Sequence, residues 1–208
     1  MAKIDSDLNQ GGNNRGNQGV GIPAPGEFTI DLPLIRKRAR ENLEKGAVTE
    51  DYKGDRAAVL RVLNDALATE LVCYLRYKRH HFMSASLGGI AGFAITNEFA
   101  EHAAQEQAHA DMLAERIVQL GGEPDFNPAN LTTRSHAEYV AGDNLEAMVE
   151  SDLIAERIAI DVYTAAIRYI GDKDLTTRRL LEQILAQEEE HAGDLSDFLK
   201  RLRVNVRK

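Results

Sequence analysis

The sequence predicts an all-α domain: four long helices in a bundle, with one long crossover between the second and third, preceded by an N-terminal extension and a short helix. Three observations carry this. Four stretches keep apolar residues close to helical spacing. No alternating, β-branched segment competes with them. Of the connections between long helices, two are short turns, whereas the middle one runs to more than twenty residues. The expected divisions are a flexible tail over 1–28, a short helix and linker over 29–55, and the bundle over 56–208.

The tail contains GGNNRGNQGVGIPAPG, rich in Gly, Asn and Pro and poor in large apolar groups, so it has too little surface to bury to offset the entropy of ordering. Asp31 and Pro33 suit the cap and first turn of a short helix. Its LIRKRARENLEKG stretch carries Arg36, Lys37, Arg38 and Arg40, which is an anion-binding patch, a solvated face or a subunit contact. The first long helix is expected over about Arg56 to Met83, with Leu63, Leu67, Leu71 and Tyr74 on its apolar stripe. The second is expected from about Ile90 to Leu120, stopped by Gly121 and Gly122. Asp143 and Glu146 read as a capping box for the third, about Leu145 to Ile170, which Gly171 follows. Asp174 caps the fourth, about Leu175 to Leu202. Short turns make antiparallel hairpins, and the stretch GGEPDFNPANLTTRSHAEYVAGD is long enough to run the length of a bundle and return the chain to the same end.

Composition narrows function by exclusion. Of 208 residues, 28% are charged and the net charge is −8, which argues against general affinity for nucleic acid and suits a protein that gathers cations. Cys73 is the single cysteine, so no internal disulfide forms, in keeping with a reducing compartment. MAKIDSDLNQ lacks the basic-then-apolar pattern of a secretory signal, and no apolar run approaches the roughly 20 residues that span a bilayer. The expectation is a cytoplasmic protein that does not enter a membrane.

The chemistry lies in a repeated spacing. The second helix carries EQAH, with Glu106 three residues before His109; the fourth carries EEEH, with Glu188 three residues before His191. On a helix such pairs share one face, one turn apart. The first helix holds Glu70 in ATELVCYLRY, seven residues before Tyr77, and the third holds Glu156 in IAERIAIDVY, seven residues before Tyr163. The chain thus reads Glu, Glu-x-x-His, Glu, Glu-x-x-His, at intervals of 36, 50 and 32 residues. The two hairpins look like pseudo-symmetric halves of one metal site.

Electrostatics supports the same reading. Glu70 and Glu156 sit among apolar neighbours, and four carboxylates buried together without compensation would cost several kcal/mol per charge. Two divalent cations cancel that charge, as does protonation of several of the groups. An oxygen-rich set with one imidazole per ion suits iron, with manganese possible, better than zinc or calcium. The predicted arrangement puts Glu70 and His109 on one ion, Glu156 and His191 on the other, and Glu106 and Glu188 bridging both. Ions held roughly 3.5–4 Å apart act together on one small molecule.

On these motifs, LNDALATELVCYLRY, EQAH, ESDLIAERIAIDVY and EEEH, the chain resembles bacterioferritin and the Dps-like ferritins over roughly residues 56–200, with all six ligand positions matched. The resemblance implies a ferritin-like four-helix bundle and a ferroxidase, which oxidises ferrous iron with dioxygen or hydrogen peroxide and stores the ferric product in a hollow homo-oligomeric shell. It also implies that Tyr77, matching a tyrosine beside the bacterioferritin site, can supply an electron. Tyr163, in the pseudo-symmetric place, is expected to serve core packing. Bacterioferritin binds haem through a methionine directly after the second-helix glutamate; Gln107 stands there, so haem is not expected. Some Dps-like relatives carry a cysteine pair near the metals, whereas Cys73 is alone and reads as a small buried apolar residue. Residues 1–50 resemble Dps-like extensions and leave the shell size open.

Other titratable groups are expected to be structural. Glu98, Glu101 and His102 could hold accessory iron, but read first as a solvated acidic patch. His80 and His81 suit the C-terminal end of a helix as cations, His136 in the crossover shows no partner, and Asp194 and Asp197 are expected to face water. Two other functions compete with the ferroxidase: a non-storing peroxidase or catalase of rubrerythrin or manganese-catalase type, and a DNA-protecting Dps-type protein using the Arg36–Arg40 cluster.

Overall fold

The computed structural model describes residues 28–86 and 90–205, so most of the expected tail, 1–28, lies outside the described residues. Helix α1 spans Leu32–Arg38, with the Asp31 carboxylate accepting from Leu34 N and Pro33 in the first turn. The long helices are α2 (Arg56–Ser84), α3 (Ile90–Gln119), α5 (Leu145–Ile170) and α6 (Leu175–Asn205). A single turn, α4 (Leu131–Arg134), interrupts the crossover. Among the described residues there is no strand.

The caps follow local chemistry. Asp55 opens α2 by accepting from Ala58 N, and Asp174 opens α6 by accepting from Thr177 N. At α5 the expected capping box does not form. Asn144, not Asp143, is the cap, its side chain accepting from Ala147 N at 3.0 Å. Gly142, at φ 67, turns the chain beforehand, leaving Asp143 one position too early. Gly121 and Gly171 take φ of 70 and 53, left-handed values that stop α3 and α5 where glycine bears no steric cost.

The long helices meet along heptad seams. The buried positions of α2 include Val59, Leu63, Ala66, Glu70, Cys73, Tyr77, His80 and Ser84; those of α3 include Ile95, Phe99, His102, Glu106, His109, Leu113 and Arg116. In both, the step alternates between four and three residues, the spacing that keeps one stripe facing a neighbour at a shallow crossing angle. Asp152, Glu156, Ala159 and Tyr163 on α5, and Leu181, Ile184, Glu188, His191 and Leu195 on α6, continue the same rhythm. The polar site residues therefore occupy ordinary core positions.

α2 pairs with α3 and α5 with α6, each antiparallel. Arg56 at the start of α2 donates to Gly121 O beyond the end of α3, while His81 near the end of α2 bonds Thr96 O at the start of α3. In the second hairpin Arg203 near the end of α6 bonds Glu146 and Glu150 in the first turns of α5.

The crossover climbs α2. In succession Asn64 receives Asp125 N, Thr69 bonds His136, Arg76 donates to Glu138 O, and His80 donates to the carbonyls of Val140 and Ala141. From residue 64 to residue 80 is about 24 Å of helix, so the chain is carried along the bundle and α5 can start at the same end as α3. His136, expected to have no partner, and His80, expected only to suit the helix end as a cation, both hold this strap, and His80 is fully buried. Its anchor is Asp152, which accepts from Arg76 Nε at 2.6 Å and from His80 Nδ1 at 2.7 Å. At the opposite end Arg116 makes a similar buried clamp with Asp174 and Thr177.

Candidate metal centre

Two apolar clusters fill the bundle. One contains Leu63, Leu67, Leu113, Ile117, Leu181 and Ile184; the other contains Tyr77, Ile95, Phe99, Met148, Leu195 and Leu199. Between them Glu70, Glu106, His109, Glu156, Glu188 and His191 come together, each no more than 2% exposed. One ligand atom from each of Glu70, Glu106, His109 and Glu188 lies within 4.8 Å of the others, and the same holds for Glu106, Glu156, Glu188 and His191. Glu106 and Glu188 belong to both groups.

The imidazoles are aimed. His109 Nδ1 faces Glu188 at 2.9 Å and Glu70 at 3.3 Å; His191 Nδ1 faces Glu106 at 3.4 Å, Glu188 at 3.6 Å and Glu156 at 3.9 Å. The Nε2 atoms point away, to Gln187 Oε1 at 2.9 Å and Gln105 Oε1 at 2.7 Å respectively. An amide oxygen can only accept, so each Nε2 carries a proton, and each Nδ1 presents its lone pair to a cation once it gives up its own proton.

Glu188 Oε1 lies 2.9 Å from His109 Nδ1 and Glu106 Oε1 lies 3.4 Å from His191 Nδ1, yet Glu106 Oε1, Glu188 Oε1 and His191 Nδ1 are buried without a well-aligned hydrogen bond. Such orphans are rare inside proteins and call for an explanation. Carboxylate oxygens and imidazole nitrogens that converge without well-aligned hydrogen bonds are what a set of cation ligands looks like. The donor set, four carboxylates and two nitrogens, fits two divalent ions of iron or manganese type.

Protonation shows the same strain. Burial, with the charges of Glu188, Glu70 and Glu156, pushes the Glu106 carboxyl well above the usual range; burial with Glu70 and Glu156 pushes Glu188 up to about 8. Burial alone would lower the histidines, but hydrogen bonds and charges from neighbouring carboxylates raise His109 to about 10 and His191 to about 9. Burial would raise Glu156 too, yet His191, Glu188 and Tyr77 together bring it down to about 2. Protons here stand in for missing positive charge.

Both tyrosines touch the centre. Tyr77 donates to Glu156 and Tyr163 to Glu70, so each phenol crosses from one hairpin to the other. Tyr163 does pack in the core, as expected, but its hydroxyl bonds a site carboxylate as well. Sequence reasoning missed Gln105 and Gln187; the signal was present, since each stands directly before the glutamate of a Glu-x-x-His pair. It also misplaced His102, which is 2% exposed rather than solvated and stacks on His191 at 4.0 Å between ring centroids. Glu101 beside it is exposed, as a solvated patch requires. Cys73 is buried beside Ala137 and Ala155, and burial pushes its thiol up.

Comparison with known proteins agrees with the geometry. A family model described as a ferritin-like domain matches residues 60–204. A nutrient stress-induced DNA-binding protein of Synechococcus sp. is 34% identical over 142 residues, covering 66% of this chain and 78% of that one. Bacterioferritin of Desulfovibrio desulfuricans is 33% identical over 143 residues, covering 68% and 73%. Among solved structures, the bacterioferritin-related protein of Bacteroides fragilis, a dodecameric thioferritin, superposes with a TM-score of 0.68 at 30% identity, covering 74% of this chain and 92% of that one. The bacterioferritin of Desulfovibrio desulfuricans, described with a diiron site, superposes with a TM-score of 0.63 at 28% identity, covering 71% and 81%. With its bundle, its buried carboxylate and imidazole cluster and these relatives, the chain belongs to the ferritin-like domain family.

Proposed function

We propose that the protein is a ferroxidase: it oxidises ferrous iron at the buried centre with dioxygen or hydrogen peroxide, and copies of the chain assemble into a cage that keeps the ferric product. The observation that carries this is the pair of overlapping ligand groups sharing Glu106 and Glu188. Iron is the substrate. Two ferrous ions surrender one electron each, enough to reduce one peroxide, with two protons, to two waters. Glu70 and His109 hold one ion, Glu156 and His191 the other, and Glu106 and Glu188 lie across both. Tyr77 can give a further electron, its proton passing to the Glu156 oxygen it already bonds.

Two features of the chain serve that reaction. The apolar clusters above and below keep bulk water out, which strengthens each carboxylate's hold on a cation. Gln105 and Gln187 fix the imidazole tautomers before any ion arrives, so little reorganisation remains to be done. Haem has no role in this reading: Gln107 stands where the resemblance calls for a methionine.

Aerobic addition of many ferrous ions per subunit tests the proposal. The expected result is a large soluble particle carrying ferric iron through size-exclusion chromatography. A monomer or small dimer that consumes peroxide and retains no iron would instead support a non-storing peroxidase. DNA binding has on its side the names of several relatives, the Synechococcus protein among them. Against it, the net charge is −8 and Arg38 in the basic cluster is already paired with Asp51; no salt-sensitive DNA shift is expected at physiological ionic strength.

A further inference from the structure

Residues 28–47 are exposed throughout except at Arg38, which is half-buried. Six of them are large and apolar: Phe28, Ile30, Leu32, Leu34, Ile35 and Leu43 are between 38% and 87% exposed. Helix α1 buries none of its residues, and no long helix packs against it. A scattered exposed leucine needs no explanation, but such a run of apolar groups marks a surface that something covers.

The segment is held in place. Asn42, at φ 51, turns the chain back, and its side-chain amide donates to Glu50. Lys45 pairs with Glu50 at 3.2 Å and Arg38 with Asp51 at 3.3 Å. Tyr52 then donates to Asp174 at 2.9 Å, and Val48 and Tyr52 pack on the first core cluster. Residues 28–43 thus form a hook fixed to the end of the bundle where α6 begins. Between α1 and Thr49–Asp51 it leaves an opening of about 300 Å³, lined by Leu34 and Ile35. The hook precedes residue 60, where the match to the ferritin-like domain begins, so the shared bundle does not account for it.

A complement lies at the other end of the molecule. Between the crossover and α5 runs a groove of about 290 Å³, walled by Val140, Ala147, Ile154 and Ile158, with Ile154 54% exposed. Glu138 and Glu150 line it too; Glu150 shares Arg203 with Glu146, and the buried Arg76 is matched by Asp152. Carboxylates therefore outnumber free cations there. The hook has the reverse balance, with Arg36, Lys37, Arg38 and Arg40 against Asp31 and Glu41. The hook cannot reach this groove in its own chain. Arg76, which lines the groove, stands about 30 Å along α2 from Arg56, whereas Arg38 and Asp51 hold α1 at the Arg56 end. Only another copy can bring the two surfaces together.

We propose that the hook of one copy docks in the groove between crossover and α5 of a second copy, its apolar side chains on Val140, Ile154 and Ile158 and its cations toward Glu138. Hook and groove are different surfaces, so the contact runs head to tail and repeats from copy to copy until the assembly closes. That closed assembly is the cage of the proposed function, and to this extent the inference rests on that reading; the contact itself needs no iron.

The test uses the full chain with cysteines at exposed positions, Cys73 being buried. Treating Ile35→Cys/Ile154→Cys with a short bismaleimide should give a ladder of joined chains on a denaturing gel, and either single variant should give none. A dimer from Ile35→Cys alone would mean that hooks meet each other, and the absence of a ladder would mean that the groove is not their seat; either overturns the docking. Leu32→Ser/Ile35→Ser, with its fold checked by circular dichroism, should raise the concentration at which the particle half-dissociates at least about tenfold, read by native mass; an unchanged value would overturn the docking as well. Flotation of the wild type with phosphatidylglycerol vesicles, lost in the serine variant, would assign the hook to an anionic membrane instead. A ladder missing from a large particle that still retains ferric iron would overturn the docking and leave the cage, whereas a wild type that stays monomeric would overturn both.

Discussion

Gln105 on α3 accepts the Nε2 proton of His191 on α6 at 2.7 Å, and Gln187 on α6 does the same for His109 on α3 at 2.9 Å. Each helix of the pair thus holds the other's imidazole. Replacing either glutamine by leucine keeps the bulk and removes the acceptor. Apparent Co²⁺ affinity measured by calorimetry should fall about 10–100-fold, with Gln105→Glu restoring it. Affinity unchanged in the leucine variants would mean that packing alone aims the rings.

Glu106→Ala should abolish fast iron oxidation, followed by ferric absorbance in stopped flow, while far-ultraviolet circular dichroism stays that of a helical bundle. Unchanged oxidation kinetics would refute its shared role. The isosteric Glu106→Gln should stabilise the metal-free protein, because the natural carboxyl is held well above its ordinary range by burial and by three neighbouring carboxylates. A gain of about 1 kcal/mol would raise the thermal midpoint by about 2–4 °C.

Cation binding should release protons. At pH 7 the metal-free centre keeps protons on Glu188, His109 and His191, raised to about 8, 10 and 9, while burial and its carboxylate neighbours hold Glu106 well above its ordinary range. Two divalent ions bring four positive charges and should expel several protons, measurable by calorimetry in buffers of different ionisation enthalpy. The sign follows: protons compete, so apparent affinity falls as pH drops below about 8, and the dependence fades above about 10, where the centre has already lost them. Binding independent of pH between 6 and 8 would contradict this.

Asp152→Ala should be costly for the fold. It leaves the buried Arg76 guanidinium and the His80 ring without their shared carboxylate. Removing one partner of such a buried pair costs about 3–5 kcal/mol, readable from urea unfolding. Amide exchange over residues 138–141 should quicken as the crossover loosens. A loss below about 1 kcal/mol would show that the strap is held by the carbonyl contacts alone.

Much of the fold was legible because the long helices follow their caps, and because Gly121 and Gly171 mark their ends with values of φ that favour glycine. The six acidic and imidazole positions could be picked out since Glu-x-x-His occurs twice in one order. What escaped was polarity inside the seam. A search for apolar periodicity steps over His80, His102 and Asp152, although each sits at a core position and is held by partners remote in sequence. His136 could not be placed either, because its partner, Thr69, lies 67 residues away. The α5 cap moved by one residue because both Asp143 and Asn144 are competent caps, and only the backbone turn at Gly142 selects between them.

The two halves of the bundle's interior are unequal. Counting from each Glu-x-x-His pair, Glu98 and Asp194 in one half correspond to Leu180 and Met112 in the other. The side that holds Glu156 and His191 therefore borders groups that reach solvent, whereas the side that holds Glu70 and His109 borders packed hydrocarbon. Two places that look interchangeable by symmetry are told apart by their neighbours.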